Sequence, residues 1–285
     1  MQHSFHIRRS QTQIGRRRIS SRVPELFFSS KENDSEGLDI SLANAIRPHF
    51  ETQSPVVLRG AVSKAPAIEL WKSLDYWRKT VGHEVAKVEI GGSYANTDGE
   101  SATAEIPVEG YLQYLEAFEE RHGKQQSSRN ETGPKQVEIV YMAQNDLFPS
   151  LYNDISIPAF CQDEKQSCGL GRLYSVMLWL GPYGSVSPLH NDPLDNYFMQ
   201  IVGRKSIILF PPHTQTYAGT NGQQSNTSPI EFDKGKEEYK KYPLFDPEVG
   251  MSCIINPGDA LYIPSKWWHH VQSLETSASI NVWWR

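Results

Sequence analysis

His190 and Asp192 stand two residues apart in Ser187-Pro188-Leu189-His190-Asn191-Asp192, and a second pair, His269-His270, follows the strand-like Leu261-Tyr262-Ile263-Pro264. Side chains alternate across an extended segment, so His190 and Asp192 point the same way and can grip one cation. Two imidazoles and one carboxylate on one face of an octahedral metal form the ligand set of non-haem Fe(II) oxygen chemistry. Three coordination positions then stay open for cosubstrate and O2. A lone His-x-Asp is weak evidence in a chain with nine histidines, and a surface turn with a solvated Asp is the blander reading. The context lifts it: Asn196 lies six residues and Lys205 fifteen residues beyond His190, across a hairpin expected at Val202-Gly203-Arg204.

The elements that must position these groups are mostly strands. From Leu173 onward, apolar or alternating runs fall at 173–180, 196–202, 205–210, 252–255, 260–263, 268–274 and 278–284. Turns such as Gly181-Pro182-Tyr183-Gly184, Pro211-Pro212 and Asn256-Pro257-Gly258-Asp259 separate them, which predicts an antiparallel sandwich closed like a jelly roll. Upstream the pattern mixes. A helix is expected over 41–50, a strand over 55–60, and a helix over 67–81 with Leu70, Trp71, Leu74 and Trp77 on one stripe. A strand over 84–90 leads through Gly91-Gly92 to Tyr94; a helix over 108–119, a polar loop over 122–136, a strand over 137–143 and a short helix over 147–152 follow. The helices of this N-terminal half are expected outside the sandwich.

At 285 residues, 38% hydrophobic with seven Trp and thirteen Tyr, the chain can bury a sizeable core. Its best apolar run, 176–180, is only strand-sized, so no bilayer-spanning helix is expected. Cys161, Cys168 and Cys253 show no CxxC spacing and read as buried small hydrophobes in a reducing compartment. Residues 1–24 hold six arginines (Arg8, Arg9, Arg16, Arg17, Arg18 and Arg22) and no acid; removing their +6 from the whole-chain −5 leaves −11 for residues 25–285. This basic leader reads as a mitochondrial transit peptide, with a disordered arm or a nuclear-import patch, and hence a nuclear or cytoplasmic protein, equally open. Residues 25–285 read as one domain interrupted by a long polar insert at 213–246, a solvated spacer or alternatively a lid or substrate-selecting surface.

With those residues laid out, the sequence resembles the JmjC (Jumonji C) Fe(II)/2-oxoglutarate oxygenases, and within them the lysine-specific demethylase eight branch, whose members act as arginyl hydroxylases. It is also similar to the neighbouring factor-inhibiting-HIF asparaginyl hydroxylase. The resemblance runs from about Pro55 to Arg285 and leaves out the leader and the insert. It implies a mainly β, cupin-like double-stranded β-helix with Fe(II), 2-oxoglutarate and O2 as cofactor and cosubstrates. It implies His190, Asp192 and His269 as metal ligands. The choice of His269 rests on the family pattern met by Ile263-Pro264-Ser265-Lys266-Trp267-Trp268-His269-His270-Val271. Strand alternation says independently that only one of two adjacent residues faces inward, but not which.

The resemblance further implies that Lys205, Ser187 and Tyr141 hold the remote carboxylate of 2-oxoglutarate, with Asn196 and Asn281 near its chelating end. Glu89, Tyr94, Trp179 and Trp283 match the pocket for the target side chain. That set suits a guanidinium, which donates paired hydrogen bonds to a carboxylate and makes cation–π contact with aromatic faces. The implied activity is hydroxylation of an arginine side chain in a basic protein substrate. N-methyl-lysine or N-methyl-arginine demethylation uses the same chemistry and is an alternative. A tRNA-base hydroxylase is a third, disfavoured because nucleic acid binding relies on basic surface. From another class, a non-catalytic cupin-like binding module would keep the fold but is expected to lose a ligand or the lysine. No Cys/His or Ser/His/Asp pattern supports a protease.

Overall fold

The computed structural model describes residues 19, 21–28, 35–91, 102–127, 138–220, 225–232 and 236–285. Most of the leader and Tyr94 lie outside the described residues. The strands, in chain order, are β1 (Ser21–Arg22), β2 (Glu25–Phe27), β3 (Val56–Arg59), β4 (Val85–Ile90), β5 (Ala102–Pro107), β6 (Val140–Asp146), β7 (Leu173–Gly181), β8 (Val186–Asn191), β9 (Asp195–Val202), β10 (Lys205–Phe210), β11 (Met251–Ile255), β12 (Ala260–Ile263), β13 (Trp268–Ser273) and β14 (Ser277–Trp284). The helices are α1 (Ser35–Glu51), α2 (Ala67–Leu70), α3 (Leu74–Val81), α4 (Val108–Ser127) and α5 (Lys236–Tyr239).

The strands form a jelly-roll sandwich of two mixed sheets. One has five strands in the order β1-β11-β10-β13-β8; the other has nine in the order β2-β3-β12-β9-β14-β7-β6-β4-β5. Period-two alternation sorts the side chains of the larger sheet. Val176, Leu178, Leu180, Tyr197, Met199, Ile280 and Val282 face a layer built from α1 to α4, where Ile46, Trp71, Trp77, Tyr111 and Leu112 are buried. The opposite face, toward the smaller sheet, carries Asn196, Phe198, Trp179 and Asn281. Because β9 and β14 are covered on both sides, nearly every residue in them is buried, polar ones included. One end of the space between the sheets is filled by Val57, Ile207, Leu209, Leu261, Ile263 and Val271.

Several local expectations are corrected. The 67–81 stripe is two helices, because the break before Ser73 lets its side chain cap Tyr76 N at 3.3 Å and start α3 afresh. Helix α4 continues to Ser127 through the first part of the expected polar loop, whose remainder lies outside the described residues. The segment 147–152 is a 3-10 helix at Pro149–Asp154. Strands β5 and β8 complete the sheets beyond the longer strands read from the sequence, β5 by pairing with the expected strand β4. No helix among the described residues is long and apolar enough to cross a membrane.

Residues 21–24, assigned to the leader on charge, belong to the fold. Strand β1 pairs in parallel with β11, β2 pairs in parallel with β3, and Val23 between them is 1% exposed within the inter-sheet cluster. Short strands of two and three residues have no readable period; their pairing is entirely non-local. Val23→Ala should lower the unfolding free energy by about 1–3 kcal/mol, read as a lower urea midpoint at unchanged slope. An unchanged midpoint would show that this staple carries no stability.

Part of the 213–246 insert forms a third layer. Ile230, Phe232 and Phe245 pack with Leu189, Ile208, Phe210 and Trp268 on the outer face of the five-stranded sheet. That stretch is therefore no solvated spacer.

Candidate metal and cosubstrate site

The two imidazoles come from neighbouring strands. In the β13–β8 pairing His269 lies opposite His190, while Val271 lies opposite Ser187. Two residues on β13 thus span three on β8, a bulge at Pro188-Leu189. Its effect is chemical: Ser187 and His190 differ by an odd number of positions, so a regular strand would turn them to opposite faces, and the bulge brings both inward. Asp192 sits just past the end of β8, where its carbonyl accepts from Lys266 N at 2.8 Å.

His190, Asp192 and His269 offer ligand atoms that all lie within 4.8 Å of one another. The imidazole centroids are 4.1 Å apart, and His269 Nε2 stands 3.7 Å from Asp192 Oδ2. Each ring has its Nδ1 at a backbone carbonyl, His190 at Pro188 O (2.7 Å) and His269 at Trp267 O (3.1 Å). A carbonyl only accepts, so Nδ1 carries the hydrogen and Nε2 keeps its lone pair for a cation. Burial pushes His269 down to about 4, with His190 adding to it and Asp192 pulling weakly the other way, so the ring is neutral at physiological pH. Asp192 Oδ2 is buried without a hydrogen-bond partner among the described residues. An orphaned carboxylate oxygen beside two outward-facing lone pairs fits a divalent cation. His270 points the other way, edge-on to Phe232 at 5.1 Å.

Lys205 is placed by the β9–β10 hairpin, whose Gly203 has φ +66° and lies so close to the Thr276 carbonyl that no Cβ would fit. Its side chain is fully buried among Phe198 (5.5 Å from Nζ to the ring centroid) and Tyr141 (5.8 Å), with Tyr141 OH at 3.4 Å. Among the described residues no carboxylate pairs with it, and burial lowers its pKa to about 7. The Tyr141 hydroxyl is held protonated chiefly by burial, then by Glu89, against a downward pull from Ser187. An ammonium beside a hydroxyl in an apolar wall is a receptor for an anion. On adjacent strands, Asn196 (both amide atoms) and Asn281 (Oδ1) are buried without hydrogen-bond partners among the described residues. Each orphan costs about 1–3 kcal/mol unless a ligand meets it.

Glu89 lies opposite Tyr141 in the β4–β6 pairing, 9% exposed, its carboxyl pushed up to about 7 by burial against a smaller downward pull from Lys87. Trp179 stacks obliquely 5.9 Å from Tyr141, and Trp283 packs on the same cluster. Both indole Nε1 atoms lack hydrogen-bond partners among the described residues. Of the residues expected at the site, all but Tyr94 are thus described and lie on the inner faces of the two sheets or at the end of β8.

A small cleft opens beside His190 and Asp192, walled by Trp179, Ser187 and Pro188 but also by Gln144, Asn226 and Thr227. Sequence reading missed the last three. Gln144 reaches the cleft from a positive-φ bulge in β6, and Asn226 and Thr227 from a single bridge to β8; no periodicity marks either.

A cupin-like domain family matches residues 43–285. The chain belongs to the cupin-like JmjC family of Fe(II)/2-oxoglutarate oxygenases. JmjC members use Fe(II) and 2-oxoglutarate, in keeping with the triad and the buried ammonium. Lysine-specific demethylase JMJ30 of Arabidopsis thaliana is 34% identical over 250 residues, 86% of this chain and 53% of that protein. Lysine-specific demethylase 8 of Xenopus tropicalis is 31% identical over 93% of this chain and 56% of its own length. A tRNA wybutosine-synthesizing protein 5 from Gallus gallus is 32% identical over 48% of this chain and 40% of its own. The chain spans about half the length of the first two.

Proposed function

We propose that this JmjC chain is an Fe(II)- and 2-oxoglutarate-dependent hydroxylase of a protein arginine side chain. The observation carrying the oxygenase reading is the convergence of His190, Asp192 and His269 within 4.8 Å, together with a buried Lys205 that no carboxylate among the described residues pairs. When bound, Fe(II) and 2-oxoglutarate together activate O2 to insert oxygen into an unactivated C–H bond, releasing succinate and CO2. The triad holds the metal through three positions and leaves the others open. Lys205, with Tyr141 and Ser187, fixes the cosubstrate's distal carboxylate, and Asn196 and Asn281 meet its other end. These contacts set orientation, which is most of what the protein contributes.

Arginine is supported by Glu89 and the two tryptophans. A carboxylate accepts from a guanidinium that retains its N–H groups, and Trp179 and Trp283 offer ring faces to the same cation. Demethylation is the second reading, favoured by the names of the two long-matching relatives; Glu89 counts against it, since N-methylation removes the hydrogens it would accept. A basic protein is the fitting partner for a body of formal charge −11. Retention of every expected metal and carboxylate group weighs against a purely binding module.

Incubation with an arginine-rich peptide library, Fe(II), ascorbate and 2-oxoglutarate should add one oxygen to a peptide by mass spectrometry; loss of a methyl group from methylated peptides alone would select the demethylase reading. Since the Glu89 carboxyl titrates near 7 in the free protein, raising the pH through 7 increases its charged form and should lower the peptide KM. Glu89→Gln should raise KM and flatten that dependence while 2-oxoglutarate binding stays intact. Loss of 2-oxoglutarate binding in this variant would overturn the pocket assignment.

A further inference from the structure

Strand β8, which carries His190, is the outermost strand of its sheet, with β13 on one side. Its pairing to β13 is interrupted by the bulge immediately before His190. An irregular edge strand is poorly held, because fewer ladder bonds resist its fraying. On its other side lies residue 227, from the middle of the connection between β10 and β11, in an isolated bridge to His190. Asn191 N donates to Asn226 O at 3.0 Å, and Ser228 N donates to Leu189 O at 2.8 Å, so two backbone bonds flank His190. Asn226 Nδ2 adds a third, to Asn191 O at 3.0 Å.

The segment is itself anchored. Thr227 and Ser228 are buried, and Ser228 Oγ donates to Thr216 O at 2.6 Å. Ile230 and Phe232 just beyond it pack against Leu189 and Trp268, the residues preceding His190 and His269. One element therefore grips both ligand strands from outside. A metal ligand must be held to about half an ångström, and supporting hydrogen bonds supply that restraint.

We propose that residues 226–228 are a clamp that fixes His190 for metal binding, with Asn226 as the positioning residue. The inference rests on the reading of His190, Asp192 and His269 as metal ligands. Asn226→Ala removes the amide bond to Asn191, and Asn226→Asp keeps the shape but replaces the donor with an acceptor. In the full chain, Mn(II) titration followed by electron paramagnetic resonance should show affinity weakened about tenfold or more in both. The visible spectrum with Co(II), which reports ligand geometry, should change as well, while the metal-free thermal midpoint moves by no more than about 3 °C. Ser228→Ala, which loosens the anchor at Thr216, should weaken Mn(II) in the same direction. Val23→Ala serves as control: it lowers stability in the inter-sheet cluster, outside the layer that residues 230 and 232 form on the ligand strands, and should leave Mn(II) affinity unchanged. Wild-type-like affinity and Co(II) spectra in both Asn226 variants, or an equal loss in Val23→Ala, would overturn the clamp. If the wild type binds no Mn(II), and His190→Ala makes no difference, the metal-site reading itself falls, and the clamp with it.

Discussion

Asp192→Ala should reduce conversion of 2-oxoglutarate to succinate to the level seen without added Fe(II), a loss on the order of a thousandfold or more. Asp192 is the one carboxylate donor of the three, and His190 and His269 are imidazoles whose Nδ1 atoms are already committed to carbonyls. Removing it leaves two imidazole nitrogens, too few to hold a hard divalent cation against water. The variant should still fold, since the missing carboxylate oxygen is a buried acceptor with no hydrogen-bond partner among the described residues. Succinate formation and circular dichroism on the same sample separate the two effects. Wild-type turnover in a folded Asp192→Ala protein would remove Asp192 from the ligand set.

Lys205→Met should separate function from stability in opposite directions. A buried cation whose anionic partner is a ligand is worth about 2–5 kcal/mol to that ligand, so the 2-oxoglutarate KM should rise between roughly 30-fold and several thousandfold. The metal-free fold should gain stability, because methionine fills nearly the same volume without a charge to desolvate. The sign follows from linkage. The folded pKa of Lys205, about 7, lies below the unfolded value near 10.5, so the unfolded chain binds more protons between those limits. The destabilisation is therefore complete below pH 7, several kcal/mol in size, and is relieved as the pH rises toward 10.5. Denaturation of both proteins across pH 6 to 10 should show the variant more stable at neutral pH and the gap closing at alkaline pH. A gap that widens with pH, or a variant with unchanged KM, would mean that Lys205 is a structural charge.

The pattern of short strands and Gly/Pro/Asn turns after residue 173 was enough to specify a jelly roll, because alternation and turn chemistry are local properties that a single chain displays directly. The same locality made His190 and Asp192 legible as a pair. Whether His269 or His270 joins them was not readable from alternation, which fixes that neighbours differ but not which one faces inward. Pairing with β8 decides it, setting His269 opposite His190 and leaving His270 to the aromatic outer layer.

The bulge that turns Ser187 and His190 to one side, the bridge from Thr227 and the staple at Val23 share a cause: each exists only where segments distant in sequence meet. A strand of two residues or a one-residue bridge has no period of its own, and a bulge appears only when a partner strand sets the register. The amino-acid sequence by itself determined which chemistry this protein can attempt. Tertiary pairing alone decided where the reacting groups point, since orientation depends on the strand across the way.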